Sequence, residues 1–301
     1  MPDGELAALA QPQRDRLAFV ELRVRFIGEI RRQDLVSRFG IQSAAATRDL
    51  ALYKDLAPDN IVYDRKGKTY MIGRDFRPFF SFPPGRVLAW LSQGFGDGEP
   101  TRLRACVPSE VPSRLTQPEL ETLACVTRAI HHESPLAIDY HSISSGETHR
   151  EIVPFALIDT GLRWHVRAFD RHTQDFRDFV VTRITRASVV KGAEVQAVER
   201  SDQDIQWTRV VELELVPHPD QPRPEITAMD YGMSGGALSM KLRAAVAGYI
   251  LRQWSVDCSP DHSLRGHEYR LWLKDHLALY GVKNAVLAPG YRAPQKNNGD
   301  R

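Results

Sequence analysis

Two sets of side chains in this sequence have the types and spacing for binding chemistry. The first is basic and lies near the N-terminus. Arg31 and Arg32 are adjacent, Gln42, Ser43, Ala44, Thr47 and Arg48 follow closely, and Arg65, Lys66 and Lys68 crowd into DRKGK. Guanidinium and ammonium groups bind phosphate oxygens, while Gln, Thr and Arg reach base edges where small neighbours such as Ser and Ala permit close approach. The second set is basic and aromatic: Tyr140, His141, His149, Arg150, Arg167, Phe169 and Arg183. Arginine forks suit phosphate and aromatic faces suit bases, so this set is a candidate pocket for a ligand carrying both. Its alternative is plain ion pairing. Residues 134–190 hold seven Arg against seven Asp plus Glu, and Asp139, Glu147, Asp170, Asp175 and Asp178 are available partners.

Catalytic patterns are sparse. The sequence has ten histidines, but His131-His132-Glu133 is not HExxH, and His262 and His267 have no acidic partner at metal spacing. No full GxxxxGK[S/T] phosphate loop occurs, and Ser234-Gly235-Gly236 is too common a turn to count as a nucleophile motif. Cys106, Cys125 and Cys258 share no CxxC spacing, which points to inert thiols in a reducing compartment rather than to a zinc knot or disulfides. The expectation is a protein that is not an enzyme, with no metal and no cofactor. A nucleic-acid-processing enzyme and a non-enzymatic RNA-binding module remain as alternatives.

The 301 residues are 42% hydrophobic, enough for two domains or three smaller ones, and the formal charge is +2. That balance excludes a histone-like tail but not a local basic face: residues 1–80 carry 14 basic against 11 acidic side chains, a net of +3. No apolar run reaches about 18 residues, and the N-terminus lacks a signal-peptide core, so a cytoplasmic protein without a membrane partner is expected.

The elements that carry the first set read as helix, helix, tight glycine turn, helix and hairpin. A helical stretch begins near Gln13. A short helix from Arg31 to Phe39 stops at Gly40, as glycine does just beyond a helix end. A third starts near Ser43, with Ala46, Leu50 and Tyr53 spaced as a buried stripe, and Pro58 marks its end. Strand-like IVY and TYMI then flank DRKGK, giving a hairpin with a basic tip. This is a helix-turn-helix with a wing. Winged helices also serve as protein-interaction modules, but three features in order favour DNA.

The second set lies on short strands with polar turns about every ten residues, which read as a small barrel or a curled sheet. In WHVRAFD, alternation places Trp164, Val166 and Ala168 on one face and His165, Arg167 and Phe169 on the other. Further along, RVVELELV at 209–216 is a strand. ALSMKLRAAVAGYILRQWSVD reads as a helix, with Leu242, Val246, Tyr249 and Ile250 on one side. EYRLWLK at 268–274 is a second strand or the start of a helix reaching Tyr280. A loop at 94–100 and a polar tail from Arg292 are the expected irregular segments.

GIQSAAATRDLALYKDLAPDNIVYDRKGKTYMIG resembles the winged helix of bacterial WYL-domain transcriptional regulators, with ATRDL matching the end of their recognition helix. The continuation is most similar to the branch associated with phage-defence islands, the BrxR and CapW type. IDYHS, REIVPFAL, WHVRAFD and FVVTRI resemble successive WYL strands. The resemblance implies an α+β chain: a winged helix-turn-helix at 12–78, a linker with helices at 79–133, an Sm/SH3-like effector-sensing β-barrel at 134–195, and an α/β dimerisation extension at 205–290. Tyr140, Ser142, Arg150, Arg167 and Arg183 match positions carried by the family. His165 stands where the namesake triplet has tyrosine, adding a group with a reference pKa near 6.5. It implies a homodimeric repressor of a phage-defence operon and of its own gene, bound to an inverted-repeat DNA operator and released by a nucleotide or single-stranded nucleic acid. An activator of the same architecture is the alternative.

Overall fold

The structure is a computed structural model that describes residues 9–93, 106–110 and 115–293. The loop at 94–100 and the tail from residue 294 onward lie outside the described residues. The chain divides into two compact units, Met1–Ser113 and Arg114–Arg301.

In the first unit, α1 (Gln11–Ile27) carries proline in its first turn and ends on Gly28, whose φ of 89° closes the helix. After β1 (Glu29–Ile30), α2 (Arg32–Phe39) ends on Gly40 at φ 63°, and α3 (Ser43–Leu56) follows within three residues. The strands β2 (Ile61–Asp64) and β3 (Thr69–Ile72) form the hairpin, and the sheet order is β1-β3-β2. α4 (Pro84–Gln93) completes the unit. Ala46, Leu50 and Tyr53 are buried against Leu17, Val20, Val24 and Leu35, so the predicted stripe of α3 is its core face.

Buried polar bonds fix these helices. Arg16 Nε donates to Asp49 Oδ2 at 2.6 Å, tying α1 to α3. Glu21 is fully buried and accepts from Tyr53 Oη at 2.8 Å and from the backbone N–H groups of Phe79 and Phe80. Desolvation raises its carboxyl above the ordinary range, although these bonds act in the opposite direction.

The second unit begins with α5 (Leu120–His131) and a sheet of β4 (Leu136–Ser142), β5 (Gly146–Asp159), β6 (Trp164–Asp170), β7 (Asp175–Val180) and β8 (Ile184–Val189). The order is β7-β6-β5-β4-β8, antiparallel throughout. This corrects the expectation of a closed Sm/SH3-like barrel. No ladder joins the edge strands β7 and β8 among the described residues, so the five-stranded sheet is open. Turn spacing dictates which strands are antiparallel neighbours. Closure requires the two edges to pair as well, and here one turn, Val181–Arg183, carries the chain from one edge to the other. Cys125, Val126 and Ala129 of α5 pack with Ile138, Ile152, Val166, Ala168 and Phe179.

The remainder is mixed α/β. α6 (Ile205–Thr208) leads to β9 (Val210–Pro217), α7 (Pro224–Asp230), β10 (Leu238–Arg243), α8 (Ala244–Gln253), β11 (Val256–Asp257) and β12 (Leu271–Leu273). The sheet runs β10-β9-β12-β11, parallel only between β11 and β12. The helix expected across 237–257 begins only at Ala244. Leu238–Arg243 is a strand paired with β9 over six residues, and its burial alternates. Cross-strand pairing overrides the helix preference of Leu, Met, Lys and Arg there. EYRLWLK keeps a strand only at Leu271–Leu273, followed by a 3-10 turn at His276–Leu279.

Candidate nucleic-acid interface and arginine-lined cavity

α3 buries Ala46, Asp49, Leu50 and Tyr53, so Ser43, Ala44, Thr47 and Arg48 face outward, with Gln42 exposed just before the helix. Thr47 Oγ1 donates to Ser43 O at 2.9 Å, whereas Arg48 makes no ion pair among the described residues. No acidic residue lies in the first turn of α3, so the positive end of the helix dipole there carries no compensating side-chain charge. Arg31 and Arg32 open α2 and are exposed. Arg31 is drawn towards Glu29, at 3.6 Å.

The wing tip has a specific geometry. Asp64 Oδ1 accepts from Lys66 N at 2.9 Å and Oδ2 accepts from Gly67 N at 2.9 Å, folding the turn around one carboxylate. Lys68 then takes φ 50°. Arg65, Lys66 and Lys68 are all exposed. The wing base is held from below: Asn60 Nδ2 donates to Tyr53 Oη at 3.0 Å and Arg77 N donates to Asn60 Oδ1 at 2.8 Å. Tyr53 thereby links the wing to the core of α3 and, through Glu21, to α1.

In the second unit the basic-aromatic residues separate. Arg167, 4% exposed, donates from Nε and Nη2 to Asp204 at 2.7 and 3.1 Å and from Nη1 to Asp178 at 2.9 Å. Burial opposes its charge, but these bonds more than offset it and raise its pKa. Arg150 Nη1 donates to the buried Asp170 at 2.7 Å. Both forks are committed to carboxylates, as the ion-pairing alternative anticipated. Ser142 bonds Ser144 Oγ at 3.1 Å beside the β4–β5 turn.

Tyr140, His165 and Arg183 do come together. They line a cavity of 290 Å³ with Arg163, Tyr249 and Arg252. Tyr140 Oη accepts from Val180 N at 3.3 Å. His165 stacks on Tyr249 with centroids 5.2 Å apart, and its buried Nδ1 has no partner among the described residues. Desolvation holds the imidazole below the ordinary histidine range, only partly countered by Asp178, so it is neutral at pH 7. A neutral ring, two phenols and three guanidinium groups have the chemistry to hold an anion with an attached ring. Arg163 and Arg252 were missed in the sequence. Arg252 comes from α8, and only the fold brings α8 against β6.

No group of three or more His, Cys, Asp or Glu positioned to hold a metal occurs among the described residues, and no described helix is long and apolar enough to cross a membrane.

Three family models match in chain order: the BrxR transcriptional regulator winged helix-turn-helix domain at 12–93, the WYL domain at 121–189, and the BrxR transcriptional regulator C-terminal dimerization domain at 210–279. The DNA-binding transcriptional repressor CapW of Stenotrophomonas maltophilia is 31% identical over 256 residues, covering 81% of this chain and 84% of that protein. CapW of Pseudomonas aeruginosa is 30% identical over 263 residues, covering 81% and 83%. CapW of Escherichia coli strain KTE188 is 28% identical over 292 residues, covering 90% and 91%.

Proposed function

The chain belongs to the BrxR and CapW family of WYL-domain transcriptional regulators, and from that premise we propose how its surfaces act together. It is a DNA-binding transcriptional repressor with a WYL effector-sensing domain. In our reading, two protomers place their α3 helices in successive major grooves of an inverted-repeat operator, upstream of a defence operon and of the repressor's own gene. Gln42, Ser43, Ala44, Thr47 and Arg48 face the bases and adjoining phosphates. Arg31, Arg32, Arg65, Lys66 and Lys68 contact the backbone. The observation that carries this is the outward face of α3, where an unpaired arginine stands among small residues.

The effector is a nucleotide or a short single strand held in the arginine-lined cavity. Arg163, Arg183 and Arg252 take its phosphate, and Tyr140, His165 and Tyr249 flank its base. The cavity walls come from the open sheet and from α8, which lies inside the region matching the dimerization domain. An effector that fits one arrangement of these walls better than another shifts the population toward it, and the spacing of the two α3 helices changes with the dimer. Arg150, Arg167 and Ser142 do not line this cavity, and Arg167 reaches it only through its bond to Asp178.

A release assay tests this reading. Labelled upstream duplex bound to the protein is titrated with a short single-stranded oligonucleotide. Arg183→Glu and Arg252→Glu should keep operator affinity and lose release. Release unchanged in both variants would place the effector elsewhere.

A further inference from the structure

The first unit holds a cavity of 430 Å³ that neither α3 nor the wing uses. Its walls are Phe19 and Leu22 of α1, Phe39 at the end of α2, Phe80 and Phe82 in the segment after the wing, and Trp90 of α4. The volume falls within the range of about 300–1,000 Å³ common to small-molecule sites.

The lining specifies a ligand class. Phe19 and Phe39 meet edge to face with centroids 5.5 Å apart, and Phe80 and Phe82 stand 6.4 Å apart, so a flat ring meets aromatic surface on several sides. Trp90 is 2% exposed, and its indole N–H is buried with no hydrogen-bond partner among the described residues. A buried donor left unpaired is uncommon in a native core, and an acceptor on an occupant would satisfy it. The charged lining residues are Arg38, Arg86 and Asp15, a net of +1. The Arg38 guanidinium stacks at 5.8 Å over Phe19 and 5.1 Å over Phe39. Arg86 is exposed and makes no ion pair among the described residues. The far wall is anchored, because Glu21 holds the Phe79 and Phe80 backbone at 2.9 and 2.8 Å.

We infer that this cavity is a ligand site for a small planar aromatic anion, with its ring among Phe19, Phe80, Phe82 and Trp90 and its charge towards Arg86. Arg38 and Phe39 directly precede Gly40, the turn into α3, so the occupant touches the helix-turn-helix itself. This is an input separate from the arginine-lined cavity of the second unit.

The test uses the full chain with 2-naphthoate as probe, followed by calorimetry and ligand-detected NMR. Wild type should bind one probe per chain, with a Kd of about 10 µM to 1 mM given the usual efficiency per atom of such ligands. Arg86→Glu alters an exposed side chain and should weaken binding about tenfold. Ala18→Trp fills the cavity and should abolish it. Arg183→Glu, in the other cavity, should leave it unchanged. The neutral 2-naphthalenemethanol should bind at least about tenfold more weakly than the anion. Absence of saturable binding overturns the inference. So does binding that survives Arg86→Glu or is lost in Arg183→Glu. No operator DNA enters the experiment, so its failure is distinguishable from failure of the repressor reading.

Discussion

Replacing Arg167 by Ala separates a structural arginine from a ligand-binding one. The side chain makes three charge-assisted bonds, to Asp204 at 2.7 and 3.1 Å and to Asp178 at 2.9 Å, and is 5% exposed with partners at 2% and 11%. Removing it strands two largely buried carboxylates close together. Breaking such a pair from one side costs about 3–5 kcal/mol. A loss of about 4 kcal/mol is therefore expected at pH 7, or roughly 8–16 °C in Tm for a unit of this size. Urea unfolding followed by tryptophan fluorescence reads it directly. Arg167→Ala combined with Asp204→Asn should recover part of the loss. A variant destabilised by less than about 1 kcal/mol that nevertheless lost effector response would refute the reasoning and make Arg167 a ligand group.

Three further outcomes follow from the same geometry. The raised carboxyl of Glu21 means that its protonated form is favoured in the fold; its contribution is full below the ordinary glutamate pKa and is lost as pH rises through the raised value. Wild type should therefore gain stability relative to Glu21→Gln as pH is lowered from 7 towards the ordinary glutamate range, and unfolding curves at the two ends of that span check it. His165 is neutral at pH 7, and a bound phosphodiester favours its protonation, so oligonucleotide affinity should rise as pH falls from 7 towards about 5.5. An identical pH slope in His165→Asn would exclude that role. In Gly248→Ala, the new Cβ would lie 1.9 Å from Asn284 O, where α8 packs on backbone. A loss of about 1–3 kcal/mol is expected in thermal unfolding, and an unchanged Tm would contradict the packing.

The elements of the winged helix-turn-helix were legible because they are local. The spacing of Ala46, Leu50 and Tyr53 gives the buried face of α3, and the outward residues follow by subtraction. Gly40 and DRKGK mark the turns on either side. What holds them in place was not legible. The bonds from Arg16 to Asp49 and from Tyr53 to Glu21 join α1 to α3, and nothing at either end announces its partner. The proposed sensing site was half legible. Tyr140, His165 and Arg183 lie on or beside strands of the open sheet and were singled out, whereas Arg252 lies on a helix far along the chain. Alternation placed Arg167 on the same face as His165, but it does not reveal that Asp204, beyond the strands read at 134–195, reaches the guanidinium first. The barrel expectation failed for a related reason: strand spacing is a property of neighbours, and closure is a property of the two edges.

The most direct measurement is binding of the protein to its own upstream duplex, against a scrambled duplex of equal length, over a salt series, for wild type and Arg48→Ala. The account predicts saturable binding of two protomers to an inverted repeat. In Arg48→Ala it predicts weaker binding and a salt slope shallower by about two, one phosphate contact per protomer. Equal affinity for both duplexes, or an affinity and slope indifferent to Arg48, would contradict it.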